Sequence, residues 1–446
     1  MGGADALLWT IDRDPVLRST IVAVLLLDRA PAPDDLRALF TDLVSVVPRL
    51  RCRGMSPPLG VGVARWSVDE RFDLDQHVHR VAAAAPATLG TVLALAQSMA
   101  GQAFDRQLPA WEALLVEGLE LGRAALVVKV HHAVVDGIGG LSALLSVTGP
   151  DGHADDGRAR HPSTEPHEDV AAPVGPSPLR DVSVVAQRAR HPWAAVATLA
   201  HDLSMAGRLL APAPLPRSPL VRGRGILRRF GAFDVPLSGL RHTATVQGTS
   251  LNDVFVAAVL GGLERYHGLH GKPVAQLRGL IPVSIRRAGD PIGTNRFVPA
   301  RFLLPSAVTD PATRLRLVHD ALGAPVHDPA LRVADVLAEV LCRLPAPLAT
   351  AAFGSMLKGT DFVATNVPGP RAEVEVAGAR LERIYAFSPP AGAGVNVSLV
   401  SVGRHACLGV NVDTAAVPDD TLLLECLRAA FGELVRLGRP TPAPNS

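Results

Sequence analysis

At 446 residues, 48% of them apolar and with a mean hydropathy of +0.23, the chain is too long for one ordinary core and too apolar for a disordered polymer. A net charge of +2 and only 4% aromatic residues give neither the field nor the stacking platforms of a nucleic-acid binder. Cys52, Cys342, Cys407 and Cys426 follow no paired or metal-ligand spacing, which fits buried, reduced thiols better than a disulfide frame. No basic, apolar and small-residue sequence of the signal-peptide type opens the chain, and no apolar run approaches the ~20 residues that span a bilayer. The expectation is a cytoplasmic protein, attached at most to the surface of the inner membrane or of lipid bodies.

Ser19 to Leu27 is apolar and β-rich, a buried strand. Asp34 to Val47 places Leu36, Leu39, Phe40, Leu43, Val44 and Val47 on one stripe of period 3.6, with Pro33 before the helix and Pro48 stopping it. Phe72 to Val81 alternates as a strand with His77 and His79 on one face, read as solvated rather than as a metal pair. Thr88 to Ala100 reads as a helix leading into Phe104-Asp-Arg-Gln-Leu-Pro-Ala-Trp-Glu112.

Leu126 to Val130 is a further buried strand, apolar but for Lys129. Gly137, Gly139 and Gly140 then break the pattern, before Leu141 to Val147 resumes at helical spacing. His131, His132, Asp136 and Gly137 therefore occupy a strand-to-helix turn, where side chains on a rigid scaffold face a cleft. An imidazole there can take a proton from a substrate hydroxyl while a carboxylate braces the turn. In an extended chain the two histidines point opposite ways, so only one reaches substrate, and His132 is assigned that place. A lone buried histidine is more often a hydrogen-bonded core residue, and a metal site would need further converging ligands that the spacing does not supply. It is the four residues together, on one junction, that favour the functional reading.

Residues 151–179 are rich in Asp, Gly, His, Pro and Glu and read as a linker between residues 1–150 and residues 180–446. Arg180 to Leu210 reads as helical. Arg217 to Arg229 carries five arginines among apolar residues, suited to coenzyme A phosphates, to an anionic membrane surface, or to a solvated rim. Ser250-Leu-Asn-Asp253 has capping-box spacing and opens an apolar-striped helix, in which Asn252 is either an early structural amide or a cleft residue. Leu277 to Ile285 and Asp361 to Asn366 read as strands, Gly394 to Val402 and Ala406 to Val412 as a hairpin, and Asp419 to Leu437 as a closing helix.

The motif His131-His132-x-x-x-Asp136-Gly137 resembles the active-site signature of the superfamily of chloramphenicol acetyltransferase and condensation domains. Pro109-Ala-Trp111, Ser250-Leu-Asn-Asp253, Ile281-Pro-Val-Ser-Ile-Arg286, Thr294-Asn-Arg-Phe297 and Asn366-Val-Pro-Gly-Pro370 narrow the likeness to the bacterial wax ester synthase/diacylglycerol acyltransferase family, over nearly the whole chain. The resemblance implies an α/β (α+β) fold of two chloramphenicol-acetyltransferase-like domains, each a mixed sheet with flanking helices, and an active-site tunnel between them.

It also implies fatty acyl transfer from acyl-CoA to a long-chain alcohol or diacylglycerol, with His132 as general base, no acyl-enzyme and no cofactor or metal. Asp136 would be structural, with Arg286 as its partner, and His131 would pack behind it. N–H groups near Gly137, with Asn252, would serve the oxyanion. Pro109 and Trp111 would border the acyl channel. The sequence departs from the family where Ala110 replaces a leucine and Leu108 an arginine. A condensation-type enzyme using a carrier protein and a non-catalytic lipid-binding relative are the other readings.

Overall fold

The computed structural model describes residues 1–57, 63–148, 215–284, 297–323, 341, 346–389 and 391–438. The expected linker (151–179), the helix expected over Arg180–Leu210, Arg286 and Cys342 all lie outside these residues.

Two six-stranded mixed sheets carry the fold. The first has the order β11-β12-β1-β6-β5-β4 and is built from β1 (Thr20–Leu27), β4 (Val78–Ala82), β5 (Trp111–Glu117), β6 (Ala124–His131), β11 (Glu375–Val376) and β12 (Ala379–Phe387). The second has the order β7-β14-β13-β10-β8-β9, from β7 (Arg228–Pro236), β8 (Gln276–Ser284), β9 (Phe297–Pro305), β10 (Phe362–Val367), β13 (Val395–Val402) and β14 (His405–Asp413). Each sheet is antiparallel except at β4–β5 in the first and at β10 with β8 and β13 in the second. A small ribbon pairs β2 (Cys52–Met55) with β3 (Arg65–Val68).

The apolar strands lie where burial on both faces demands them. β6 is covered along its length between β1 and β5, and every residue of β13 is buried. The hairpin expected at Gly394–Val402 and Ala406–Val412 therefore forms, but without a solvent face. The first sheet is not closed by residues 1–150 alone: β12, from the far side of the linker, runs antiparallel to β1, with Val24 opposite Tyr385.

β12 also packs on the second sheet. Phe387 stacks on Phe230 of β7 at 4.1 Å between centroids, and the β14 backbone comes so close that a Cβ on Gly409 would sit 2.0 Å from the Ala386 carbonyl oxygen.

Helices cover the sheets. α1 (Gly3–Ile11), α2 (Pro33–Val46), α3 (Leu89–Gly101) and α4 (Gly137–Thr148) come from the first part of the chain. From the second part come α5 (Leu237–Val246), α6 (Leu251–Leu269), α7 (Pro311–Gly323), α8 (Ala346–Lys358) and α9 (Asp420–Leu437). Pro33 occupies the first turn of α2, with Asp34 and Asp35 complementing the helix dipole. The box at α6 closes as its spacing predicts: Ser250 Oγ accepts the Asp253 N–H (3.1 Å) and the Asp253 carboxylate accepts the Ser250 N–H (2.9 Å).

The strand expected over Phe72–Val81 is shorter, Val78–Ala82, and its histidines do not share a solvated face. His79 is exposed, but His77 precedes the strand, is buried, and stacks on both Phe72 and Trp111. Cys52, Cys407 and Cys426 are buried free thiols.

The close approach at Gly409 makes a test of the contact between sheets. Gly409→Ala is expected to lower the unfolding free energy by about 1–3 kcal/mol, because backbone cannot rotate away as a side chain can. Urea denaturation measures this, and a change within a few tenths of a kcal/mol (roughly) would show that the strands separate freely.

Candidate active site

The motif sits where β6 ends between its two neighbours. The His131 N–H donates to the Ala110 carbonyl on the β5 side (2.9 Å), and the next N–H, that of His132, donates to the Ser19 carbonyl on the β1 side (2.7 Å). Successive amides bonded in opposite directions fix the plane of the His131–His132 peptide. Asp136 then starts α4 as its N-cap: its carboxylate accepts the Gly139 N–H, and its carbonyl accepts the Gly140 N–H at 2.8 Å. Gly137 opens the helix, and a Cβ there would lie 3.6 Å from Val367 Cγ2, in the Asn366–Pro370 stretch that ends β10 of the second sheet.

The two histidines meet different surroundings. His131 is 1% exposed, boxed by Trp9 and Phe104 at centroid distances of 5.0 and 6.0 Å, and its Nδ1 accepts the Ala133 N–H at 3.0 Å. Its Nε2 faces Asp12 Oδ1 at 3.4 Å. His132 is half-buried.

Asn252 occupies the first turn of α6, half-buried, and shares no hydrogen bond with the motif among the described residues. Pro109 and Trp111 are both buried. The Trp111 indole N–H donates to the Leu50 carbonyl (2.8 Å), and its ring stacks on His77 at 4.6 Å and on Phe40 at 5.6 Å. This anchorage holds the neighbouring Ala110 carbonyl on which His131 hangs.

Three features around the site had little or no signal in the sequence. Lys129, 1% exposed, reaches Glu112 Oε1 at 2.6 Å and lies 4.4 Å above the Phe104 ring. A lone lysine in an apolar strand was its only trace. Asp12 faces His131, although burial alone would raise its carboxyl; the His131 ring, the Ser19 N–H and Arg106 outweigh burial and hold it below the ordinary range.

The third feature is a serine–histidine pair apart from the motif. Ser218 Oγ lies 2.7 Å from His267 Nε2, and the Asp361 carboxylate accepts the Ser218 N–H at 2.9 Å. It is not a nucleophile. All three residues are at most 1% exposed, and Ser218 Oγ already accepts the N–H groups of Leu220 and Val221. The trio fastens the chain entering β7 to α6. Among the described residues no group of histidine, cysteine or carboxylate side chains could hold a metal ion, and no helix is long and apolar enough to cross a membrane.

An imidazole fixed at a strand end, just before the N-terminus of a helix, is a group that can take part in proton transfer. The protein is an acyltransferase. Residues 1–255 match the wax ester synthase/diacylglycerol acyltransferase catalytic domain and residues 294–435 the WS/DGAT C-terminal domain, so the chain belongs to this family.

A Mycobacterium tuberculosis protein bearing the name of a diacylglycerol O-acyltransferase is 32% identical over 99% of this chain and 93% of its own length. A second from the same organism is 29% identical over 100% and 98%. Among solved structures, the wax ester synthase/diacylglycerol acyltransferase of Marinobacter aquaeolei superposes with a TM-score of 0.63 at 22% identity, covering 98% of both chains. The first condensation domain of the calcium-dependent antibiotic synthetase does so with 0.64 at 16% identity, covering 98% of this chain and 96% of its own, a likeness of fold.

Burial holds the imidazoles of His77 and His267 below their ordinary value, against the opposing pull of the carbonyls of Trp111 and Leu263. The unfolded chain then binds protons at a higher pH than the folded one. This stabilisation is complete above about pH 6.5 and declines as pH falls from there toward the lowered folded values. His77→Phe should reduce the slope of unfolding free energy against pH between about 6.5 and 5.5. Urea titrations at several pH values measure it, and an unchanged slope would contradict the assignment.

Proposed function

We propose that the protein moves a fatty acyl group from acyl-CoA to the hydroxyl of a long-chain alcohol or diacylglycerol, giving a wax ester or triacylglycerol, with His132 as general base. The observation that carries this reading is the contrast between the two histidines. His131 is enclosed with both ring nitrogens turned to protein groups, while His132 is only half-buried and has its N–H held by the Ser19 carbonyl.

In this reading the His132 imidazole takes the acceptor's hydroxyl proton as the oxygen attacks the thioester carbonyl. A C–O bond forms, the tetrahedral intermediate collapses, the C–S bond breaks, and the imidazolium returns its proton to the departing coenzyme A thiolate. One group serves both steps, so no acyl-enzyme is required, and no cofactor beyond the acyl-CoA substrate enters the scheme.

The Gly137 N–H, at the positive end of α4, is assigned to the oxyanion, with Asn252 as a second donor. Asp136 holds the turn as N-cap, and Arg286 is assigned as its ionic partner. Pro109 and Trp111 act through the Ala110 carbonyl. Ile226 and Leu227, 61% and 70% exposed, flanked by exposed Arg222 and Arg229, support peripheral attachment of a cytoplasmic protein to an anionic lipid surface, where a water-insoluble acceptor would be met.

Palmitoyl-CoA with hexadecanol or dioleoylglycerol should yield free coenzyme A and the matching ester. His132→Ala is expected to lower kcat by about 10²–10⁴-fold. A thiol reagent follows the release, and chromatography identifies the product. An alanine variant that keeps most of the rate would remove His132 from its role. A wild-type protein that ignores acyl-CoA but accepts an acyl-carrier protein would move the assignment to a condensation-type donor.

A further inference from the structure

His131 is held from two sides. The Ala133 N–H points at Nδ1 (3.0 Å), so Nδ1 accepts and the ring's proton sits on Nε2. Nε2 lies 3.4 Å from Asp12 Oδ1, an ionic contact too long or too bent for a good hydrogen bond, and has no other polar partner among the described residues.

The same Asp12 oxygen accepts the Ser19 N–H at 3.1 Å, and the Ser19 carbonyl accepts the His132 N–H at 2.7 Å. One carboxylate thus reaches His132 by two routes, through Ser19 at the head of β1 and through the ring of its neighbour. Asp12 is itself well placed. It is the C-cap of α1 with its side chain 11% exposed, and Arg106 lies 3.8 Å from its other oxygen and 4.8 Å above the Trp9 ring that packs on His131.

We propose that Asp12 is a positioning residue for the acyl transfer, orienting His132 by fixing Ser19 and His131 on either side of it. It touches no substrate. The inference rests on His132 being the base. A drift of about 1 Å in a base can cost ~10²-fold in rate while leaving substrate binding alone. The effect of Asp12 therefore belongs in kcat.

Two variants with the same number of side-chain heavy atoms separate the role from branching. Asp12→Asn keeps a side-chain oxygen that accepts from Ser19 and faces His131, whereas Asp12→Leu keeps the branched skeleton, in bulkier form, and no acceptor. Asp12→Leu should lower kcat about 30- to 100-fold with KM for palmitoyl-CoA within about twofold, and Asp12→Asn should stay within about fivefold of the wild-type kcat. Histidine 15N shifts should place the His131 proton on Nε2 in the wild type and in Asp12→Asn, with that pattern disturbed in Asp12→Leu.

Equal losses in the two variants, an unimpaired Asp12→Leu, or a loss confined to KM would overturn the proposal. If Asp12→Leu does not fold, Asp12→Asn decides: a kcat near wild type with the His131 pattern kept supports it, and a large loss in the folded variant overturns it. His132→Ala runs alongside. If it stays active the base assignment has failed, whereas an inactive His132→Ala beside an unimpaired Asp12→Leu sinks the positioning role alone.

Discussion

Everything at the site depends on where β6 stops. A strand at the edge of a sheet would offer its last residues to water. β6 ends between β1 and β5, and its last amide and the next are taken by carbonyls on opposite sides, Ala110 and Ser19. The peptide joining the two histidines cannot rotate without breaking one of these bonds, so the backbone sets how the two side chains leave the strand end. The Asp136 cap fixes the other end of the turn, since α4 cannot move while its first N–H groups are bonded to that residue.

The second constraint is long-range. β12 belongs to the first sheet by hydrogen bonding and to the second by packing, through Phe387 on Phe230 and the Gly409 backbone against Ala386. Tyr385 on the same strand reaches Asp234 of β7 at 3.3 Å, and Arg383 approaches that carboxylate at 3.5 Å. Relative movement of the two sheets would have to break this strand's contacts on one side or the other. The pairing of Gly137 with Val367 is therefore held by structure well away from the motif.

The sequence disclosed what is local. The apolar run of β6, the amphipathic α2 and the capping box of α6 each follow from nearest-neighbour chemistry and were found within a residue or two, whereas α4 starts at Gly137, four residues before the helical spacing resumes, because Asp136 caps it. Pairings decided across the chain were not legible. Nothing in Ala379–Phe387 announces that it joins β1 rather than the strands nearest in sequence, and the alternation around His77 suggested a wet face where a stack on Trp111 waits. Asp12 and the Ser218–His267–Asp361 trio were silent for the same reason, their partners lying far along the chain. The stacking of the Trp111 ring was likewise not legible, being set by Leu50, Phe40 and His77 from three other segments.

Direct transfer by a single imidazole, with no covalent intermediate on the protein, is the central claim, and the intact mass of the protein tests it. The protein mixed with palmitoyl-CoA and no acceptor should keep its unmodified mass and release no coenzyme A until an alcohol or diacylglycerol is added. A mass increase equal to one acyl group, with coenzyme A released before any acceptor is present, would contradict it.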